Sequence, residues 1–412
     1  MKTILITAYA VNPYKGSEDG MGWNFIVQAA RFNHVIAITR KNNRAAIERF
    51  IQLNKENKNY NNINFIYVDV PNWMLFWKKG PLLSMIYYLF WQFIVAVKTL
   101  RLKNKIDIVH NLNFHNDWSP SFLWMFRKPM VWGPIGHHPK IDKTFLEKYY
   151  PFSALVKDRF LWCLKNIFWK FDPFLYLTKK NSTHIFCMNS GVAKVLNLNL
   201  EKYSIMPSVA TENNLPDQNI TKEKFTVLCA GRFEPVKNFD LALHAFARFY
   251  HTLHKNEQDK VCLKLIGKGK YLNVLQQIIT ELKIQDAVEI IDWVTHQEMK
   301  EYYSNASVFL FPSHEGAGMV VAEAQSFGLP VICWNNVGPG ELVSAKSTLK
   351  INKKTYHYGV ELFYHKLEKL YKKPEFYAKE KKLALQNFQD KLMWNVRGEQ
   401  LNKVYQQIIS TQ

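Results

Sequence analysis

Short apolar runs recur along this chain, each followed by a polar, glycine-bearing loop and then by a stretch of helical period. In the first half the runs are Thr3 to Tyr9, His34 to Thr39, Ile63 to Val70, Ile106 to His110, Pro129 to Ile135, Thr183 to Met188 and Ile205 to Val209. In the second half they are Phe225 to Ala230, Val261 to Ile266, Val288 to Ile291, Val308 to Phe311 and Val331 to Trp334. Runs this short and this apolar predict strands buried on both faces. The intervening segments, such as Trp23 to Arg31, Asp240 to Tyr250, Gln297 to Asn305 and Met319 to Phe327, predict helices. Strand, loop and helix in alternation predict an α/β fold of doubly wound parallel sheets. The polar stretch Thr211 to Glu223 predicts a linker, which divides the chain into domains 1–210 and 211–389. Leu385 to Ile409, containing Trp394, predicts one long amphipathic helix.

Two segments break the alternation. Leu82 to Val97 is nearly all apolar, with Ser84 and Gln92 as its clearly polar positions. At about 16 residues it falls short of the roughly 20 that span a bilayer. A helix buried in the first domain, an in-plane membrane helix flanked by Lys78, Lys79, Lys98, Arg101 and Lys103, and a span all remain open. Leu146 to Lys180 interleaves aromatic residues such as Tyr149, Tyr150, Phe160, Phe168, Trp169 and Phe171 with Lys148, Lys157, Arg159, Lys165 and Lys170. This predicts either an amphipathic helical pair packed on the domain or a surface that meets lipid.

At 412 residues, 48% hydrophobic and 15% aromatic, the chain can build two cores, and wholesale disorder is excluded. The formal charge is +20, which favours an acidic partner: nucleic acid, an anionic membrane or a phosphorylated substrate. The five cysteines are widely spaced, with no C-x-x-C pair and no metal spacing, as expected of reduced thiols in a cytoplasmic protein. The start, MKTILITAYAVNPYKGSEDG, reads as a first core strand rather than a signal peptide.

Three constellations could carry chemistry. Gly231-Arg232-Phe233-Glu234-Pro235-Val236-Lys237-Asn238 places two cations in a strand-to-helix loop, where a guanidinium and an ammonium could hold a diphosphate. Glu315-Gly316-Ala317-Gly318 follows a buried strand, opens a helix and is joined by Glu323 inside that helix. The glycines expose backbone N–H groups, while carboxylates suit hydroxyl groups rather than phosphate. The third is the histidine set His110, His115, His137 and His138, the last two after a glycine-bearing turn. No carboxylate at a fixed offset suggests a triad, and no zinc set appears. The loop bearing Gly16, Gly20 and Gly22 does not match G-x-G-x-x-G, so a dinucleotide fingerprint is not supported.

Taken together, these residues resemble the retaining nucleotide-sugar glycosyltransferases of the GT-B fold, glycosyl transferases group one of the E-x7-E type. The resemblance runs over essentially the whole chain and is most specific from Gly231 to Glu341. Arg232 and Lys237 match the family's R-x-x-x-x-K pair, Glu315 and Glu323 its E-x7-E motif, and Gly328 to Val331 its G-L-P-V segment. KGSEDGMGW resembles the family's Gly-rich loop, with Gly16 approaching the donor phosphates. MVWGPIGHHPK resembles the strand whose terminal histidine contacts the transferred sugar, and WNVRGEQLNKVY its last helix, which crosses back to the first domain.

The resemblance implies two Rossmann-like domains facing across a cleft, with a final helix at about 390–412 packed on the first. It implies that Arg232 and Lys237 neutralise the leaving diphosphate beside Gly231. The backbone from Gly316 through Ala317, Gly318 and Met319 to Val320 would help to bind the donor. Glu323 would bind ribose hydroxyls and Glu315 the donor sugar. His137 would contact the sugar near the reacting carbon, with His138 and His110 as substrate-binding alternatives. No metal or other cofactor is expected. The implied partners are a nucleotide-diphosphate sugar, of hexosyl or N-acetylhexosaminyl type, and a saccharide acceptor. The basic aromatic segments point to a polyprenyl-diphosphate-linked acceptor of capsule, O-antigen or exopolysaccharide synthesis. They also point to peripheral docking on the inner face of the cytoplasmic membrane. The competing classes are a nucleic-acid-binding protein, motivated by charge but lacking any helix-turn-helix, zinc or RNP-like motif, and a catalytically inactive sugar-nucleotide binder.

Overall fold

The structure, a computed structural model, describes residues 1–71, 80–112, 116–142, 145, 151–215 and 223–411. Expectations for Trp73, Lys78, Lys79, His115, Lys148, Tyr149, Tyr150, Pro216 and Asp217 lie outside the described residues. The chain divides into two compact units. One holds Met1–His137, Cys163–Ser208 and Trp394–Gln412, and the other His138–Trp162 and Val209–Met393.

The first unit carries a seven-stranded parallel sheet. Its strands are β1 (Thr3–Thr7), β2 (His34–Thr39), β3 (Ile63–Tyr67), β4 (Ile108–Asn111), β5 (Met130–Ile135), β6 (Ser182–Cys187) and β7 (Tyr203–Ile205). Their order is β3-β2-β1-β4-β5-β6-β7. The order reverses direction at β1/β4, the kind of switch point where open sheets bind ligands. The last strand lies earlier than Ile205 to Val209, because pairing Ile185 with Tyr203 and Cys187 with Ile205 sets the register. Val209 instead joins a core of the second unit.

Helix Ser17–Ala30 starts six residues before the expected Trp23. Gly20 and Gly22 are buried inside it rather than in a loop. Packing here overrides glycine's poor helix propensity: this helix lies against helix Trp394–Ser410, and Phe25 and Trp394 meet edge to face at 5.6 Å.

The apolar segment forms helix Gly80–Thr99, 20 residues long, so the expectation that it is too short to span does not hold. Leu83–Lys105 is long and apolar enough to cross a membrane. One of its faces, with Tyr87, Tyr88, Trp91, Val95 and Ala96, is buried in the core of this unit. Trp91 Nε1 donates to Val68 O at 2.8 Å. The opposite stripe, Ile86, Phe90, Phe93 and Val97, is exposed at helical spacing. The basic aromatic segment forms helices Phe152–Phe171 and Pro173–Asn181.

The second unit has a six-stranded parallel sheet: β8 (Phe225–Ala230), β9 (Val261–Ile266), β10 (Val288–Ile291), β11 (Val308–Phe311), β12 (Val331–Trp334) and β13 (Lys350–Ile351), in the order β10-β9-β8-β11-β12-β13. Residues 138–162 belong here, not with the first 137 residues: Ile141 and Phe145 enter its core, and the Phe145 ring lies 5.2 Å from those of both His314 and Trp334. The expected single tail helix is two, Pro374–Lys391 and Trp394–Ser410. The break falls where Met393 bridges to Thr211 and Leu392 O accepts from Thr211 N, so those backbone groups leave the helical ladder.

Candidate active site

In the second unit the site grows from the carboxyl ends of two neighbouring strands. β8 and β11 pair with Val227 opposite Val308, which brings the loops that follow them together. Val236 O accepts from His314 N at 2.9 Å and from Ser313 Oγ at 3.4 Å. Asn336 Nδ2 donates to Ser313 O, and Ser313 Oγ accepts from Glu315 N. The two motifs therefore form one braced structure. Lys353 Nζ, held 2.8 Å from His314 Nδ1 and against the rings of Phe145 and Trp334, props the loop from behind. Burial lowers the Lys353 ammonium to about 8 and, with that cation beside it, the His314 imidazole well below its usual range.

Lys237 Nζ donates to Glu315 Oε2 at 2.7 Å and sits over the Phe311 ring. Lys237 is buried and Glu315 half-buried, so the pair is largely shielded from water. Gly231 makes room for it: its φ is +149°, and a Cβ there would meet Lys237 Cε and Nζ at 3.3 Å. Arg232 is exposed, 3.3 Å from Glu234 Oε1. Beyond Glu315, Gly316 and Gly318 are buried, while Ala317, Met319 and Val320 are half-buried. Helix Met319–Ser326 begins at Gly318 with no side-chain cap, so its first-turn N–H groups form a positive end suited to an anion. Inside that helix, Glu323 Oε2 accepts from Tyr303 Oη at 3.0 Å. Burial pushes the Glu323 carboxyl above its ordinary range, against the pull of the His296 charge and the Tyr303 hydrogen bond. His138 Nδ1 accepts from Gly316 N at 3.1 Å, on this same loop.

The structure separates the other two histidines, both in the first unit. His110 is the penultimate residue of β4, fully buried. Its Nε2 lies 2.6 Å from Gly133 O and so carries the proton, while Nδ1, 2.6 Å from Tyr405 Oη, accepts. With both nitrogens engaged, and burial lowering its pKa to about 4, His110 is a neutral core residue rather than a sugar contact. His137 follows β5, and its Nδ1 lies 2.7 Å from Asp117 Oδ2. Asn189 Nδ2 donates to His137 O at 3.0 Å, the ring lies 5.6 Å from Trp169, and a Cβ at Gly191 would press on it at 2.8 Å. The imidazole is thus fixed in orientation as well as place. Gly16 is exposed just before helix Ser17–Ala30, with open space where a Cβ would stand.

Asp117, Asn189, Tyr303 and Lys353 were not singled out from the sequence. For Asp117 a signal existed: it sits in the polar cluster after β4, and His137 follows β5, which pairs with β4. Only the strand order reveals that a separation of 20 residues is closed.

Residues 210–385 match the family described as glycosyl transferases group 1. An uncharacterized glycosyltransferase of Haemophilus influenzae is 33% identical over 143 residues, 34% of this chain and 38% of that one. The O-antigen chain mannosyltransferase RfbU of Salmonella typhimurium is 26% identical over 193 residues, 45% of this chain and 48% of that one. The chain thus spans less than half the length of these two relatives. A crystal structure of Anabaena HepE in complex with UDP and glucose superimposes with a TM-score of 0.61 at 13% identity, over 99% of this chain and 100% of that one. The fold is therefore the GT-B architecture of solved glycosyltransferases.

Proposed function

We propose that the protein is a retaining, metal-independent glycosyltransferase, a reading supported by the match of residues 210–385 to the family described as glycosyl transferases group 1. It moves a sugar from a nucleotide-diphosphate sugar to a lipid-linked saccharide in surface-polysaccharide synthesis. The observation that carries this reading is the Lys237–Glu315 pair beside the uncapped start of helix Met319–Ser326. An ammonium, an exposed guanidinium and oriented N–H groups suit a leaving diphosphate, whose charge grows as the glycosidic bond breaks. Glu315 holds Lys237 in place with one oxygen and offers carboxylate lone pairs to donor hydroxyls. Glu323, steadied by Tyr303, takes the ribose hydroxyls. Backbone N–H groups at Gly318, Met319 and Val320 take phosphate oxygens, and His138 buttresses the loop through Gly316. On this reading the ammonium, the guanidinium and the helix N-terminus take the place of a divalent cation at the leaving group.

On the first unit, His137 contacts the donor sugar, its ring set by Asp117. That the relative from Salmonella is named for O-antigen chains, and the HepE structure for UDP and glucose, supports a nucleotide-sugar donor and a saccharide acceptor. The exposed apolar stripe of helix Gly80–Thr99 and the +20 charge support peripheral docking on an anionic membrane face. Melting the protein with a panel of UDP-, GDP- and ADP-sugars tests the donor half of the reading. One nucleotide class raises the Tm of the wild type and not that of Glu323→Ala; a panel without any shift would remove the donor assignment.

A further inference from the structure

A groove of about 650 Å³ opens on the first unit beside helix Gly80–Thr99 and the junction of helices Phe152–Phe171 and Pro173–Asn181. Its size falls within the roughly 300–1,000 Å³ of small-molecule sites. Phe90, Phe93, Phe122, Ile167, Phe171 and Phe174 are among the residues that line it. The floor is a run of rings, Phe93 to Phe122 and Phe122 to Phe174, each 5.4 Å apart. Phe171 is 76% exposed, an unusual position for a phenylalanine next to other exposed apolar residues. Among the described residues the single charged lining residue is Asp172, whose Oδ1 accepts from Phe174 N and Leu175 N as the helix cap. The wall also holds Trp124, whose indole N–H is buried with no partner among the described residues.

We propose that this groove binds the hydrocarbon tail of the lipid-linked acceptor, which rests on the acceptor class assigned above. Water inside such a wall finds few hydrogen-bond partners, and a hydrocarbon chain loses nothing there. The +20 charge disfavours a second copy of this chain and favours an amphiphile with an anionic head. Exposed cations stand beside the lining residues in sequence, Lys170 next to Phe171 and Arg127 two positions after Met125. Continuity with the site selects the acceptor over bulk lipid. Phe168 lines the groove and lies 5.1 Å from Trp118, the neighbour of Asp117. Trp169, one position on, lies against His137. Adjacent positions of one helix thus line the groove and contact the imidazole, and on this reading a seated tail places its head group on the His137 side.

Calorimetric titration with octyl, decyl and dodecyl phosphate and with farnesyl phosphate, each below its micelle concentration, tests this. Saturable binding is expected, tightening about two- to fourfold per methylene, with glycerol phosphate as the tail-free control showing none. Phe90→Ser/Phe171→Ser weakens dodecyl phosphate at least tenfold while its melting curve and nucleotide-induced Tm shift stay those of the wild type. On the wild type, farnesyl phosphate displaces dodecyl phosphate competitively, a readout independent of any variant's folding. Affinity that ignores chain length, or a variant that binds as the wild type does, overturns the proposal. Binding to anionic vesicles without saturable binding of the monomeric phosphates also overturns it, because the face is then only a membrane contact. If the chain series binds but no nucleotide sugar shifts the Tm, the transferase reading fails while the tail site stands.

Discussion

Lys237 and Glu315, 78 positions apart in the chain, meet at 2.7 Å in a largely buried ion pair. The two residues assigned to opposite ends of the donor, phosphate and sugar, are thus one device. A cation taken out of water needs a partner, and the partner can also hold it at a fixed angle.

Removing one member leaves the other uncompensated. Glu315→Ala is expected to lower stability by about 1–3 kcal/mol. Lys237→Met/Glu315→Leu, which removes both charges, should recover much of that loss. Either single change is expected to lower kcat/KM by at least about 100-fold. Urea melts of the cycle and initial rates check the two statements separately.

Glu323 gives a pH dependence of defined sign. Its folded-state carboxyl lies above the usual value, chiefly through burial, so the folded chain keeps its proton to higher pH than the unfolded chain. Stability therefore falls as pH rises through the window between the unfolded value near 4.5 and the raised folded one, and then levels off. Glu323→Gln abolishes this slope, so its Tm is expected to exceed that of the wild type at neutral pH. Donor binding should nevertheless be lost. Thermal melts across pH 4–8 with and without nucleotide sugar separate the two effects.

His110 acts in the opposite direction. Burial holds its folded pKa at about 4, below the unfolded 6.5. The stability it contributes is complete above pH 6.5 and is lost as pH falls toward 4, by up to about 3 kcal/mol. Tyr405→Phe leaves Nδ1 without its donor and is expected to cost about 1–3 kcal/mol. The kcat/KM of folded Tyr405→Phe should stay within about twofold, because His110 is fully buried and Tyr405 serves only to hold its ring. Acid titration of stability together with steady-state rates checks this.

Asp117→Asn is expected to leave the fold intact and to lower kcat by about 10- to 100-fold with little change in KM. An amide that donates to Nδ1 favours the wrong imidazole tautomer. The pH–rate profile should shift with it, which a purely structural role would not produce.

The strands of the second unit were legible because each is a short apolar run between polar loops. Val261–Ile266, Val308–Phe311 and Val331–Trp334 fall where the pattern placed them. β13, two residues long, is too short to leave a pattern, and the start of helix Ser17–Ala30 was hidden by glycines that only its packing against the last helix makes acceptable. The charged motifs at Arg232, Lys237, Glu315 and Glu323 were legible from their loops. Their pairing was not, because the order β8-β11 joins segments far apart in the chain. The histidines show the same limit: His110, His137 and His138 look alike in sequence, and only Tyr405, Asp117 and Gly316 tell them apart.

The transfer itself is the most direct test. Proton NMR of the anomeric signals, with the nucleotide sugar that raises the Tm and an excess of EDTA, follows donor consumption and product configuration together. The expected result is an α-linked product from an α-donor, formed at an undiminished rate in EDTA and at least about 100-fold more slowly by Arg232→Ala. A β-linked product, dependence on an added divalent metal, or an unchanged rate for Arg232→Ala would contradict it.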